Sequence, residues 1–307
     1  MILCAGEALI DMLPRKSTQN EPAFAPYPGG AVFNTAVALG RLGAPTGFFT
    51  GLSTDLFGQM LADRLDQSGV DAALALRSDR PTTLAFVQLT DGQARYAFYD
   101  ENTAGRMLDP ATLPALPETV SAVFFGGISL VAEPCGTAYE ALMMQEAPQR
   151  VTMIDPNIRP GFIADEAAYR ARIERMLAAA DIVKVSDEDL VWLEGTGETA
   201  DLARALLARG PALVCVTEGA DGVTGYTSAH GALRAAAPQV TVADTVGAGD
   251  TFNAGLLAGL ASAGALSKEG LRTLDAETLG NALSLGTRAA AVTVGREGAN
   301  PPWAHEL

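Results

Sequence analysis

Short apolar runs alternate with helical patterns along most of the chain, and that alternation limits the fold more than any single motif does. Met1–Leu13 opens on a strand that breaks at Gly6, and Pro28-Gly29-Gly30 turns into a helix over Ala31–Leu42 that Gly43 ends. A strand over Thr46–Gly51 and a helix over Leu56–Gln67 complete a first unit. The rhythm resumes with strands at Ala122–Phe125, Val151–Asp155, Ile182–Val185 and Ala212–Thr217, set between helices at Cys135–Gln145, Glu166–Ala180, Asp187–Leu193 and Thr199–Ala208. A hairpin over Gly222–Tyr226 and Ala232–Ala235 belongs on the sheet edge, and two long helices follow, one after Gly249 and one over Glu277–Val292. Right-handed crossovers then give a mostly parallel sheet covered on both faces.

The rhythm breaks once. Thr83–Leu89 and Ala94–Tyr99 flank Asp91-Gly92 with no helix between them, a hairpin signal that excludes these strands from the parallel array. They form a small flap, with parts of Asp11–Pro28 able to pair with it. The expected architecture is one α/β domain over residues 1–307, three-layer α/β/α, with a β-sheet lid from about 11–28 and 82–100. Such a flap either closes over a reaction centre and excludes water or serves as a rigid dimerisation surface, and one sheet can do both.

The formal charge of −15 is spread without an acidic tail, which argues against nucleic acid and anionic membranes as partners. Cys4, Cys135 and Cys215 lack CxxC spacing and fit buried thiols in a reducing compartment. With only His230 and His305 available, a zinc site and a Ser-His-Asp hydrolase are both disfavoured. The N-terminus lacks a basic flank and no apolar run approaches membrane-spanning length, so the chain reads as cytoplasmic.

Chemistry concentrates in Asp244-Thr245-Val246-Gly247-Ala248-Gly249-Asp250-Thr251-Phe252-Asn253-Ala254-Gly255, a glycine turn running into an apolar helix. The first-turn amides of such a helix bind anions, and Asp250 beside them makes sense as a base; the plainer alternative is a helix cap. Three further polar clusters follow strands. Asp11 with Gly29, Gly30 and Asn34 can hold a polyhydroxyl ligand, although spacing alone makes Asn34 a cap. Asp155-Pro156-Asn157-Ile158-Arg159-Pro160 presents an amide and a guanidinium on a stiff loop, where an arginine commonly pairs with a surface carboxylate. Lys184-Val185-Ser186-Asp187-Glu188-Asp189 is an acidic helix start that suits the helix dipole or a hydrated Mg²⁺. There is no GxxxxGK[ST], and no GxGxxG follows the first strand.

The Asp244–Gly255 stretch closely resembles the C-terminal signature of the ribokinase-like (PfkB) carbohydrate kinases, and Gly29-Gly30 with Asn34 resembles their N-terminal one. Gly6–Met12 and Asp155–Arg159 are most similar to bacterial fructokinases. The resemblance implies that Asp250 is the base and that the amides of Gly247, Ala248 and Gly249 hold the transferring phosphoryl group of ATP. It further implies that Asp11, Gly29, Gly30, Asn34, Phe98, Asn157 and Arg159 hold the sugar. Thr217, Gly219, Gly222 and Asn281 would line the nucleotide site, with Lys184 and Ser186 near its phosphates. The family's NxxE motif stands here as Ser186–Asp189, so Asp189 would reach Mg²⁺ through water; Asp244 and the Val246 carbonyl are a K⁺ site in some members. The implied acceptor is D-fructose. The alternatives are 2-keto-3-deoxygluconate, from the resemblance around Phe98–Ala104, with ribose and nucleosides further behind. From a different class, the chain could be a non-catalytic sugar sensor. A homodimer through the lid resembles what several relatives form.

Overall fold

The computed structural model describes residues 1–90 and 93–307, so the expected Asp91-Gly92 turn lies outside the described residues. Strands β1 (Ile2–Ala5), β2 (Leu9–Lys16) and β3 (Pro22–Gly29) lead into α1 (Ala31–Arg41), followed by β4 (Thr46–Phe49), β5 (Gly51–Ser53) and α2 (Leu56–Gln67). After β6 (Val70–Asp71) and β7 (Leu76–Ser78) come β8 (Leu84–Thr90) and β9 (Gln93–Tyr99). The second half alternates β10 (Ala122–Gly126), α3 (Cys135–Glu146), β11 (Val151–Asp155), α4 (Glu166–Ala179) and β12 (Ile182–Ser186). It continues through α5 (Asp187–Glu194), α6 (Thr199–Leu207), β13 (Leu213–Thr217), β14 (Val223–Thr227) and β15 (Gly231–Ala235) to α7 (Ala248–Ser262), α8 (Lys268–Arg272) and α9 (Ala276–Val294).

Among the described residues the central sheet has nine strands, in the order β15-β14-β13-β12-β11-β10-β1-β4-β6. It is parallel from β6 to β13, and β14 and β15 add an antiparallel edge. Every residue of β1, β4, β10 and β11 is buried, as a sheet covered on both faces requires. Alternate side chains divide between two cores. Ile2, Cys4, Phe48 and Phe124 pack under α1, α7 and α9, while Leu3, Phe49 and Phe125 pack under α3 and α4. Three layers result, as the alternation predicts.

The lid is a separate sheet in the order β3-β2-β8-β9. Its outer pairs are antiparallel, but β2 and β8 run parallel, with Ile10 opposite Leu84. The lid is thus two hairpins set side by side. β2 starts buried at Leu9 and Ile10 and ends exposed at Lys16, so the lid is anchored at its base and projects from the body. The single strand expected over Thr46–Gly51 is two: a Cβ on Gly51 would stand 2.0 Å from the Ala104 carbonyl oxygen, and the chain leaves the main sheet there to pair with β7. β6, β7 and α8 escape a periodicity search because they span only two, three and five residues.

Helices α7 and α9 cross in close backbone contact. A Cβ on Gly255 would lie 2.6 Å from Cα of Gly286, and one on Gly259 would lie 2.8 Å from Cα of Ala282. No rotamer change relieves a clash with backbone, so Gly255→Ala forces the helices apart. The expected cost is about 1–3 kcal/mol in urea unfolding. An unchanged midpoint and slope would refute the backbone-contact account.

Candidate active site

Polar side chains gather at the C-terminal ends of β1, β11 and β12, the usual ligand-binding edge of a parallel sheet. Beyond β1, the chain turns at Gly6 and presents Glu7. Its Oε1 accepts from the amides of Ala31 at 2.8 Å and Val32 at 3.4 Å, and its Oε2 accepts from Ser129 N at 3.3 Å. α1 has Gly30 as its N-cap and no side-chain cap of its own, so Glu7 caps it across the fold. Burial raises the Glu7 pKa against these hydrogen bonds. In the sequence Glu7 is a polar residue just past a strand, and nothing local shows that it caps α1.

At the start of α7, Gly247 takes a left-handed conformation (φ 79°), and a Cβ there would meet Cβ of Ala299 at 2.8 Å. The Ala248 amide donates to the Thr245 carbonyl at 3.3 Å, and helical bonding resumes with Thr251 N donating to the Gly247 carbonyl at 2.9 Å. Between them, the amides of Gly249 and Asp250 have no acceptor among the described residues. Gly247 N likewise has no acceptor among the described residues, so of the expected Gly247, Ala248 and Gly249 the Ala248 amide is the one already engaged, and the Asp250 amide joins the free donors. Lys184 reinforces them, since a Cβ on Gly249 would stand 3.2 Å from its Nζ. Free amides and an ammonium at a helix N-terminus form a site for a concentrated negative charge.

Asp250 is 7% exposed, and its Oδ2 accepts from Asn34 Nδ2 at 2.9 Å. Asn34 is therefore no cap: it stands in the second turn of α1 and ties that helix to α7. Burial pushes the Asp250 carboxyl up to about 7, while the Asn34 hydrogen bond pulls it down and the Asp155 charge adds to the rise. Lys184 is held by Asp155, whose Oδ2 accepts from Nζ at 2.9 Å. Burial alone would depress that ammonium, but the Asp155 charge and hydrogen bond outweigh it and hold its pKa above the ordinary lysine value.

A cavity of about 370 Å³ opens beside this cluster, between the lid and the ends of β1 and β11. Glu7, Asp11, Gly30, Phe98, Asn157 and Arg159 contribute to its wall. Neither Asp250 nor Asn34 is in that wall, which α1 meets through Gly30 and Ala31 at its start. The Asp11 carboxylate has no hydrogen-bond partner among the described residues, and burial pushes it up to about 6. Gly29 makes room for it, because a Cβ there would fall 2.2 Å from Asp11 Oδ2. Phe98 meets Phe162 edge-on at 4.6 Å between ring centroids and forms an apolar side. Asn157 sits in a left-handed turn (φ 46°), its amide donating to Asp155 Oδ1 at 3.2 Å. Arg159 donates to the Ile158 carbonyl and makes no ion pair among the described residues, contrary to the surface pairing expected of a loop arginine. A half-buried carboxylate, an amide and an aromatic face suit a neutral polyol.

The residues expected at the nucleotide lie apart from that cavity. Thr217 ends β13, Gly219 and Gly222 hold positive φ in the turn to β14, and Asn281 is exposed on α9. A Cβ on Gly222 would lie 2.2 Å from the Ala235 carbonyl oxygen, so this glycine holds β14 to β15. Ser186 and Asp189 form a reciprocal capping box on α5, and Asp189 Oδ1 also accepts from Ile158 N at 3.1 Å. Both Asp189 oxygens are thus engaged by backbone amides, and the helix-start reading accounts for them. Asp244 accepts from Val246 N at 3.1 Å and Gly298 N at 3.0 Å, while the Val246 carbonyl has no donor among the described residues. No cluster of three His, Cys, Asp or Glu side chains cages a metal among the described residues.

A sheet-edge cavity with a buried carboxylate beside an anion cradle is the equipment of a phosphotransferase acting on an alcohol. Comparison with known proteins agrees: residues 1–306 match the pfkB family carbohydrate kinases, and the chain belongs to that family. It is 54% identical over 281 residues to a fructokinase of Rhizobium leguminosarum bv. trifolii, covering 92% of this chain and 86% of that one. Its fold is similar to that of a Xylella fastidiosa fructokinase with bound ATP (TM-score 0.86, 29% identity, 97% and 93% of the two chains). A Vibrio cholerae fructokinase in its fructose, ADP and potassium ion bound form aligns with a TM-score of 0.83 at 25% identity, over 97% and 93% of the chains.

The space at Gly29 yields a prediction. Gly29→Ala displaces the Asp11 carboxylate and is expected to raise the sugar KM by at least about tenfold, the loss of one charge-assisted hydrogen bond, with kcat much less affected. An unchanged KM in steady-state kinetics would detach Asp11 from sugar binding.

Proposed function

We propose that the chain is an ATP-dependent fructokinase, transferring the γ-phosphoryl group of MgATP to the primary hydroxyl of D-fructose to give fructose 6-phosphate. The observation that carries the chemistry is the Asp250 carboxyl, buried and poised near neutrality beside the free amides of Gly249 and Asp250. The identity to the Rhizobium fructokinase carries the acceptor.

Asp11, Asn157 and Arg159 hold the sugar hydroxyls against Phe98, and the lid closes over them. Asn34 orients Asp250, which removes the proton from the attacking hydroxyl oxygen. The α7 amides and Lys184 receive the charge of the transferring phosphoryl group, and protein catalysis here consists of positioning and charge neutralisation. Thr217, Gly219, Gly222 and Asn281 border the nucleotide. Mg²⁺ bound with the nucleotide would supply neutralisation of phosphate charge, and Asp189, whose oxygens are already engaged by backbone amides, would reach it through water. The open Val246 carbonyl beside Asp244 suits K⁺.

2-Keto-3-deoxygluconate is the weaker acceptor. Kinases of that acid resemble this chain around Asp100, where they carry an arginine, and here Asp100 is paired with Arg106 at 2.9 Å. Neither lines the sugar cavity, where Arg159 is the arginine among the described residues placed to meet a carboxylate. A sensor without turnover has no use for a base beside an anion cradle. Phe24 and Tyr99 are 44% and 63% exposed on the lid, an apolar surface suited to a homodimer. A cytoplasmic location rests on the composition and on three buried, unpaired cysteines.

With purified enzyme and MgATP, ADP release is expected with fructose and not with 2-keto-3-deoxygluconate, ribose, glucose or adenosine; preference for another sugar removes the acceptor assignment. Asp250→Asn is expected to fold normally and lose at least roughly 10²-fold in kcat, the lower end for a general base. Because the base acts unprotonated, kcat/KM should fall about tenfold per unit below its pKa. That places the bend near about 7, with a plateau above it. A flat profile from pH ~5 to ~8, the range in which such a group titrates, would rule out Asp250 as the titrating base.

A further inference from the structure

The ion pair behind the anion cradle is more elaborate than the fold requires. Asp155 ends β11 at 1% exposure, and Lys184, on the adjacent parallel strand β12, is 3% exposed. Asp155 Oδ2 accepts from two donors, Lys184 Nζ at 2.9 Å and Asn253 Nδ2 at 2.7 Å, the latter from α7. An ammonium has three N–H donors, and Asp155 is the one partner of Lys184 among the described residues. Asn253 is wholly buried, and its Oδ1 has no donor. Replacing a buried pair of this kind with apolar residues is often neutral or stabilising, so stability alone does not account for it.

We propose that Asp155 and Asn253 are positioning residues for phosphoryl transfer, holding the Lys184 ammonium beside Gly249 so that its remaining donors meet the anion bound at the start of α7. The proposal rests on the reading of that helix start as the phosphoryl site. Asp155 fixes the ammonium from one side, and Asn253 fixes Asp155 without adding charge. A second carboxylate at the Asn253 position would compete with phosphate for Lys184, and an aliphatic residue would release Asp155. Because Asn253 stands one helical turn beyond Gly249, the same helix supplies the cradle amides and aligns the lysine with them. The groups acting on Asp250 are Asp155 from β11, Lys184 from β12, Glu7 from the β1–β2 connection and the Asn34 amide from α1; Lys184 also feels Asp189 of α5.

The test uses Asp155→Asn, Asn253→Ala, Lys184→Met and the double variant Asp155→Asn/Lys184→Met. Four quantities are read: kcat, fructose KM, the pH of the acid limb, and ATP affinity by calorimetry without sugar. Asp155→Asn and Asn253→Ala should each lower kcat at least about tenfold and hold fructose KM within about twofold, as expected for donors that act on transition-state charge. Asp155→Asn should also move the acid limb to lower pH, because a negative charge near Asp250 is gone; a purely structural role leaves the limb in place. In the Lys184→Met background, Asp155→Asn should cost less than about a further twofold, since residues acting through one another are not additive. Additive losses, an unmoved limb or wild-type kcat in Asp155→Asn would overturn the proposal. If the charge-unbalanced Asp155→Asn fails to fold, Asn253→Ala and the charge-balanced double variant against Lys184→Met decide it. Wild-type protein that binds ATP but phosphorylates no fructose would remove the fructokinase reading, and the ATP affinities would then judge the positioning role.

Discussion

The desolvation of Asp250 is the constraint on which the site depends. A carboxylate in water titrates far below neutrality and is a poor proton acceptor, and a carboxylate buried without partners would simply stay protonated. The protein places this one between the extremes, at 7% exposure with one amide donor from Asn34 and an ammonium farther off. Burial comes from the packing of α7 against α1 and α9, and that packing requires small residues on the inner face of α7. Gly255 and Gly259 supply it. The same helix must begin in a left-handed turn at Gly247 to leave amides free. One segment therefore meets three demands: an open start, an acid in its first turn, and a flat apolar face two turns later.

The division of the sheet edge follows from the topology. β1 lies next to β10 in the middle of the order, and the connections leaving β1, β10 and β11 open on the same edge. Glu7 joins two of these connections to the start of α1 and so holds the base of the lid to the body. The sugar cavity is consequently built half from the lid, through Asp11 and Phe98, and half from the loop after β11, through Asn157 and Arg159. The anion cradle belongs wholly to the body. On the proposed reading, an acceptor would enter past the lid, while Asp250 and the cradle belong to the body.

How far the sequence revealed this varied with the range of the interaction. The helix over Leu56–Gln67 and the strand over Val151–Asp155 were legible to the residue because local signals bound them, a capping Asp55 for the first and Pro156 for the second. The lid hairpin was legible for the same reason, but the parallel contact of β2 with β8 was not, since nothing local encodes which strands meet across a long connection. Asp250 could be singled out because a carboxylate beside a glycine turn is chemically odd. Asn34 looked like a cap, and only the meeting of α1 with α7 shows its amide on Asp250. Gly29 looked like a ligand contact, and only the fold shows that it clears space for the Asp11 carboxylate. Glu7, Asp155 and Asn253 stood inside polar or glycine-rich stretches, but nothing local assigned them partners, because an acid after a strand and an amide within a helix are ordinary in sequence.

The departure at Ser186–Asp189 connects to the buried pair. The capping box on α5 takes one Asp189 oxygen and the Ile158 amide takes the other, which fixes the loop that carries Asn157 and Arg159. An acid committed to holding that loop contributes little charge of its own to a metal. The positive charge needed near a polyanion must then come from elsewhere in the body, and Lys184 is the cation standing beside Gly249. On the proposed reading, the carboxylate in the first turn of α5 shapes the sugar side of the site, while the lysine in the middle of β12 serves the phosphate side. The short strand that joins them makes the two sides parts of one rigid element.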